Sequence, residues 1–521
     1  MENILFIFLS FFIILFFLKF LKFRDRKSTK LPLPPGPKPW PILGCLPTML
    51  INKPVFRWIH NLMNELDTEI ACIRLGNVHV IPVTCPNISC QFLKEQDSVF
   101  ATRPLMMSTQ IASSGYLTTV LVPVGDQWMK MKRVLVSEML SPSKQKLFYT
   151  KRLEEANHLV RYVYDQCLKC DDGCGLVNVR FVSRHYCANL IRNILFNRRS
   201  FREGKNNGGP SFEDEEHVKA IFTMLAYIYG FSVSDYLPCL QRLDLDCHGK
   251  IMKEANRILR KYQNPIIEER FKKWSNGNNK EVEDLLDMFI TLKDANGYPL
   301  LSKEEIQAQI TEIMIEVVDN PSNVVEWALA EMINQPEILS KAVEELDRVV
   351  GKERLVEESD FSQLNYIKAC AREALRLHPM APFNVPHVAV ADTTVCNYFI
   401  PKGSHVLLSR MGLGRNSKVW DEPEKFKPER HLKNERCSQV TLSEPNLRFI
   451  SFSTGKRSCP GIEMGTLMTM MLFARLLQGF RWNPPSNQTS IDLTESTNSL
   501  ALANPLVAVA FPRLPPHLCP A

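Results

Sequence analysis

The chain has no long basic tract with interleaved aromatics, and its formal net charge of +7 is small for 521 residues. Nucleic-acid recognition therefore has no support. No internal repeat appears, which excludes solenoids and propellers. A disulfide framework is also missing: the 15 cysteines are odd in number and scattered, as expected in a reducing, cytosolic setting. The densest group, Cys167, Cys170 and Cys174, lacks a nearby fourth ligand, so a zinc or iron–sulfur site does not follow.

What is present begins with an apolar run from Ile4 to Leu18, interrupted only by Ser10 and extended by Phe20, Leu21 and Phe23 past Lys19 and Lys22. That approaches the roughly 20 residues a membrane helix requires. A cleaved signal peptide is the competing reading, but no small-x-small cleavage site follows. Arg24, Arg26, Lys27 and Lys30 place the following side in the cytosol. Leu31 to Pro41 is too rich in proline for helix or sheet and reads as a stiff spacer. The expected organisation is an anchor over 1–23, a basic and proline-rich linker over 24–44, and one domain over 45–521.

With 45% hydrophobic residues the chain can bury a large core. Helical patterns dominate, notably Lys303 to Asn334, Pro336 to Val350, Phe361 to His378 and Gly461 to Gln478. Short strand-like runs at Cys72 to Pro82 and Ser404 to Leu408 add a small sheet. The polar, turn-rich stretch Arg198 to Pro210 reads as an exposed loop. A mostly helical α+β domain is expected.

The most informative segment is Phe452-Ser-Thr-Gly455-Lys-Arg457-Ser-Cys459-Pro460-Gly461. Pro460 suits the first turn of a helix, leaving the amides of Gly461 and Ile462 to face the Cys459 sulfur. The helix N-terminus favours an anionic thiolate. Gly455 permits the bend, and Arg457 can donate charge-assisted bonds to a carboxylate such as a haem propionate. A thiolate so surrounded is suited to ligate haem iron, whose potential depends on hydrogen bonds to its sulfur. A buried structural cysteine is the bland alternative.

This segment resembles the ligand loop of the cytochrome P-450 haem-thiolate monooxygenases. Glu373-Ala-Leu-Arg376 resembles their Glu-x-x-Arg element, which the resemblance pairs with Arg430 of Pro428-Glu429-Arg430-His431. Trp128 and Lys132 stand at the Trp-x-x-x-Arg spacing whose members meet a propionate, with Lys in place of Arg. His387 occupies a position where the superfamily often has another propionate-binding Arg. The resemblance implies the P-450 fold with a small β-sheet subdomain behind an N-terminal transmembrane helix. It also implies haem b, O2 and electrons from NADPH through NADPH-cytochrome P-450 reductase. Membrane lipid and the endoplasmic reticulum follow, with the catalytic domain in the cytosol.

Aligning Glu326-Trp327-Ala-Leu-Ala-Glu331 with the distal helix of ordinary members puts Glu316-Val-Val-Asp319-Asn320-Pro321 over Ala-Gly-x-Asp-Thr-Thr. Asp319 keeps the acid, Asn320 replaces the oxygen-handling threonine, and Val317 replaces the groove-opening glycine. Pro321 should bend the helix, since it offers no N–H to the Val317 carbonyl. The Asp-Asn-Pro-Ser-Asn signature resembles the plant amino-acid N-hydroxylases that make aldoximes. Phe100 to Pro104, Ala112 to Thr119, Ala381 to Val388, Pro401 to Arg410 and His431 resemble the same group. Ser458 and Pro460 depart from it.

That second resemblance implies two N-hydroxylations of an L-amino acid, then dehydration and decarboxylation to an aldoxime. Asp319 and Asn320 are the catalytic candidates. Arg103 is a candidate for the substrate carboxylate, and Ser113, Ser114, Phe383 and Asn384 lie in segments that usually face substrate. A conventional plant P-450 hydroxylase, a hydroperoxide-rearranging enzyme and a non-enzymatic haem-binding paralogue are the alternatives.

Overall fold

The computed structural model describes residues 31–169, 173–201, 209–228, 230–277, 281–432 and 439–519. The expected anchor over 1–23, the basic residues to Lys30, Cys170 and most of the 198–210 loop lie outside the described residues. Among the described residues no helix is long and apolar enough to cross a membrane.

Ten described helices have ten or more residues: α1 (Val55–Glu65), α2 (Asp126–Leu135), α3 (Tyr149–Leu168), α4 (Val179–Phe196), α5 (Phe212–Ile228), α6 (His248–Ser275), α7 (Lys303–Asn334), α8 (Pro336–Val349), α9 (Asn365–Leu377) and α10 (Ile462–Gly479). The strands are β1 (Ile73–Leu75), β2 (Val78–Val83), β3 (Gly175–Asn178), β4 (His387–Val388), β5 (Thr393–Val395), β6 (Tyr398–Ile400), β7 (His405–Leu408), β8 (Phe480–Asn483) and β9 (Val507–Pro512). They form sheets ordered β1-β2-β7-β4, β3-β9-β8 and β5-β6.

Helix α7 is the central element, packing against α4, α5, α6, α8, α9 and α10. It starts at a capping box: Glu305 N donates to Ser302 Oγ (3.1 Å), and Ser302 N donates to Glu305 Oε2 (2.8 Å). It ends where Pro336 opens the next helix. Along α7, the Glu326 carboxylate accepts from Arg180 Nε of α4 (2.8 Å) and from Leu506 N (2.9 Å), joining the helical core to the segment before β9. Trp327 stacks on His378 with ring centroids 3.7 Å apart, and His378 Nε2 lies 2.7 Å from Glu331 Oε1. This fixes the end of α9 against α7.

The expected strand over 72–82 is two strands, because the chain reverses at Gly76, whose φ is +54°. A Cβ there would lie 2.2 Å from the Tyr236 carbonyl oxygen, so only glycine fits. β2 then pairs in parallel with β7, Val80 opposite His405 and Val83 opposite Leu408. The proline-rich segment is extended and held at two places: Cys72 N, just before β1, donates to Pro35 O, and Phe399 N of β6 to Pro32 O, both at 2.8 Å. Contacts of the domain thus begin ahead of residue 45.

Candidate active site

The ligand loop is built by backbone bonds. Cys459 N donates to Phe452 O (2.8 Å) and Ser458 N to Gly455 O (3.0 Å), closing the turn. Gly455 has φ +78°, and a Cβ on it would lie 2.3 Å from Leu93 O. The Phe452 ring packs over Gly465, whose added Cβ would come within 3.2 Å of it. Helix α10 begins at Ile462, later than the sequence pattern suggests, because Gly461 is non-helical at ψ 26°. The Gly461 amide still faces the Cys459 sulfur.

Burial pushes the Cys459 thiol up to about 11, with the Gly461 amide and Arg410 opposing and Glu316 adding to the rise. A bound ferric ion would displace that proton. Around the loop, Arg457 Nε donates to Ala101 O (2.7 Å), Nη1 to Thr119 O (3.2 Å) and Nη2 to Val122 O (2.6 Å). Its guanidinium lies 4.5 Å from the Trp128 ring centroid, and Lys132 Nζ lies 4.9 Å from the same ring. Lys132 Nζ also donates to Lys456 O (3.1 Å). His387 Nδ1 lies 2.8 Å from Phe100 O, which fixes the proton on Nδ1. Burial and the nearby Arg103 and Arg457 hold the ring well below its ordinary pKa. In that neutral state His387 would need a second proton to donate to a propionate.

The distal helix faces this loop. Glu316, Val317, Asp319 and Asn320 are partly open, whereas the flanking Ile315 and Val318 are buried. The helix is unbroken through Pro321. Asn320 Nδ2 donates to Glu316 O (3.3 Å), and Ser322 Oγ to Val318 O (2.8 Å). Burial pushes Asp319 up to about 6 against Arg184 and Arg410. A partly open cysteine beneath an amide, cations and an indole at its margin, and an open helical face across from it form a donor set that fits haem.

The other sequence candidates divide. Arg103 donates to Val120 O (3.3 Å), Val385 O (3.0 Å) and Pro386 O (2.9 Å), bracing two segments. Ser113 Oγ donates to Thr109 O (2.6 Å) and accepts from Tyr116 N (2.8 Å), while Ser114 Oγ accepts from Arg260 Nη2 (2.6 Å). Phe383 stacks on His60 at 5.4 Å, towards β1 and β2. Asn384 Oδ1 accepts from Leu408 N (2.8 Å). Glu373 accepts from Arg376 (2.7 and 2.8 Å) and Arg430 (2.9 Å) behind the loop. A separate cavity of about 230 Å³ lies near Leu159, Phe181, His185 and Asn189, and none of these candidates lines it.

Two residues with charge at this site were not singled out from sequence: Glu316 and Arg410. Glu316 aligns over an alanine, and Arg410 follows β7, which only long-range pairing brings here. Among the described residues no group of His, Cys, Asp or Glu could hold a bare metal ion. Cys167 is buried and its sulfur meets Ala510 O at 3.3 Å.

The family model for cytochrome P-450 matches residues 34–511. A phenylalanine N-monooxygenase of Prunus mume is 60% identical over 501 residues, 95% of this chain and 93% of that protein. An isoleucine N-monooxygenase of Lotus japonicus is 59% identical (95% and 92% covered). A tyrosine N-monooxygenase of Sorghum bicolor is 56% identical (94% and 88% covered).

Proposed function

The chain belongs to the cytochrome P-450 family, and from that membership we propose that it converts an L-amino acid to its aldoxime. It is a haem-thiolate monooxygenase that uses O2 and NADPH electrons delivered by a redox partner. The observation that carries the amino-acid reading is the 54–60% identity to relatives named as phenylalanine, isoleucine, tyrosine, tryptophan and valine N-monooxygenases. Two turnovers each consume one O2 and two electrons and release one water. The N,N-dihydroxy amino acid then loses water and CO2 to give the aldoxime. The haem supplies the oxidation, and the protein positions the nitrogen and controls protons.

In this reading Cys459 would hold the haem iron through its sulfur, and Arg457, Trp128, Lys132 and His387 would lie towards the carboxylates of the haem. Phe452 and Gly455 shape the ligand loop. Asp319 and Asn320 would hold water and move protons on the substrate side of the site. The redox partner is NADPH-cytochrome P-450 reductase, and residues 1–23 anchor the chain in the endoplasmic reticulum with the domain in the cytosol. Exposed Trp40, Ile42 and Ile51 support a membrane-facing surface together with Leu243 and Leu245. The segments carrying them adjoin, since Gly76 N donates to Leu43 O while Gly76 abuts Tyr236.

The test is expression in microsomes with a plant P-450 reductase, feeding each common L-amino acid and detecting aldoxime by mass spectrometry. NADPH-dependent aldoxime from one or a few is expected. A normal reduced-CO spectrum with no aldoxime from any would reject the reading.

A further inference from the structure

An α-amino acid enters an apolar haem pocket as a zwitterion, and leaving either charge unpaired there costs several kcal/mol. Two ionisable side chains at the site, one basic and one acidic, have no hydrogen-bond or ion-pair partner among the described residues. Arg410 opens the short helix Arg410–Gly414 after β7. Its backbone N donates to Pro382 O (2.8 Å), and its neighbour Ser409 bridges Phe383, so it lies beside the 381–385 segment. Its Nε is buried with no acceptor, and among the described residues its guanidinium makes no hydrogen bond or ion pair. Glu316 lies one helical turn before Asn320 on the open face of α7. Its carboxyl likewise has no hydrogen-bond or ion-pair partner among the described residues.

Glu316 and Arg410 feel each other and Cys459 electrostatically, yet they form no ion pair within 4.0 Å, so each is near the other without being spent on it. Burial, with Glu312 and Asp319 beside it, pushes Glu316 up to about 8 against Arg103 and Arg410, so near neutrality the carboxyl ionises only when a further cation such as an α-ammonium comes against it. Arg103, the other nearby cation, spends its donors on three carbonyls.

We propose that Arg410 and Glu316 are the two poles of the substrate site, Arg410 taking the α-carboxylate and Glu316 the α-ammonium of the amino acid. This rests on the amino-acid reading above. It makes the pair a determinant of substrate class, indifferent to the side chain, and it sets the nitrogen on the α7 side next to Asn320.

The test uses the full-length haem enzyme and substrate-induced changes in its Soret band. Three probes are titrated: the L-amino acid that the wild type converts, its decarboxylated amine, and the carboxylic acid lacking the amino group. With Arg410→Gln, affinity for the amino acid and the acid is expected to fall at least about 30-fold, and for the amine less than about 3-fold. Glu316→Gln is expected to give the crossed pattern, losing the amino acid and the amine but not the acid. Arg410→Lys and Glu316→Asp should recover part of each loss, and they carry the comparison if a Gln variant fails to take up haem. Equal loss for all three probes, as when Arg410 meets a haem carboxylate, overturns the pairing, and so does wild-type binding by both variants. Absence of aldoxime from wild type would instead remove the underlying reading before any variant is compared.

Discussion

His431 Nε2 lies 2.8 Å from Glu373 Oε2, while Arg372 Nε donates to His431 Nδ1 at 3.2 Å. The histidine is therefore neutral with its proton on Nε2, and it completes a carboxylate already held by Arg376 and Arg430. Burial drives Glu373 upward, but the Arg376 and His431 bonds prevail and hold it at about 2. His431 itself is held below its ordinary value by burial, against the pull of Glu373.

Both shifts are depressions, so each group contributes stability that is present above its unfolded-state pKa and is lost as pH falls. For His431 the loss begins below about 6.5, and for Glu373 it runs from about 4.5 down through 2. His431→Phe should cost about 1–3 kcal/mol at neutral pH and abolish the upper limb of acid destabilisation. Thermal melts of wild type and variant across pH would check this. An unchanged upper limb in the variant would refute the tautomer and the assignment together.

Gly455 predicts a sharp intolerance. A side chain at φ +78° carries a left-handed cost of about 1–2 kcal/mol. Its Cβ would also collide with Leu93 O at 2.3 Å and Asp97 Oδ1 at 2.9 Å. Gly455→Ala should express with several-fold less haem per protein, read from the reduced-CO difference spectrum. Wild-type haem content would show that the loop relaxes freely.

Glu312 of α7 is a second brace. Its carboxylate accepts from the amides of Thr119 (2.8 Å), Val120 (3.0 Å) and Leu121 (3.3 Å). Arg457 grips the carbonyls of Thr119 and Val122 from the other side. Glu312→Gln turns an N–H2 towards donors, and loss of charged acceptor bonds should cost about 1.5–3 kcal/mol. Faster haem transfer to apomyoglobin and a lower melting temperature are expected. A variant with both unchanged would mean that the 119–122 segment does not depend on this anion.

These braces separate what the sequence made legible from what it did not. Helix α7 was readable to its ends because Ser302 and Glu305 form a capping box and Pro336 starts a new helix. The Phe361 to His378 pattern ran too long, since 358–362 is a 3₁₀ turn and α9 starts at Asn365, where Glu345 takes the Tyr366 and Ile367 amides. Cys459 and its loop were readable because the chemistry sits within ten consecutive residues. Glu316 and Arg410 were not, because a carboxylate on a helix usually reads as a solvated face, and Arg410 comes near Cys459 only through the long-range pairing of β2 with β7. His431 was visible only as a mark of resemblance after Pro-Glu-Arg, and its partner, Glu373, lies 58 residues away.

For Asp319 and Asn320 the proposed role comes with a stability cost. Burial raises Asp319 to about 6, and neither Arg184 nor Arg410 offsets it fully. A carboxyl raised in the fold contributes stability that is complete below its unfolded pKa, near 3.8, and is lost as pH rises through 6. Asp319→Asn should therefore be more stable than wild type at pH 8 by about 1–3 kcal/mol, and so melt higher, with the advantage vanishing in acid below the unfolded value. An acid raised to about 6 by its surroundings is poised for the proton handling proposed here. The same substitution should lower aldoxime formed per NADPH several-fold while the reduced-CO spectrum stays intact. Asn320→Ala should share that uncoupling without the gain in stability at pH 8, because it removes only the bond to Glu316 O. Melts at two pH values and product-to-NADPH ratios for both variants decide the matter. A lower melting temperature for Asp319→Asn at pH 8 would mean that Arg184 and Arg410 pay back the burial, and unchanged coupling in both variants would remove the pair from the chemistry.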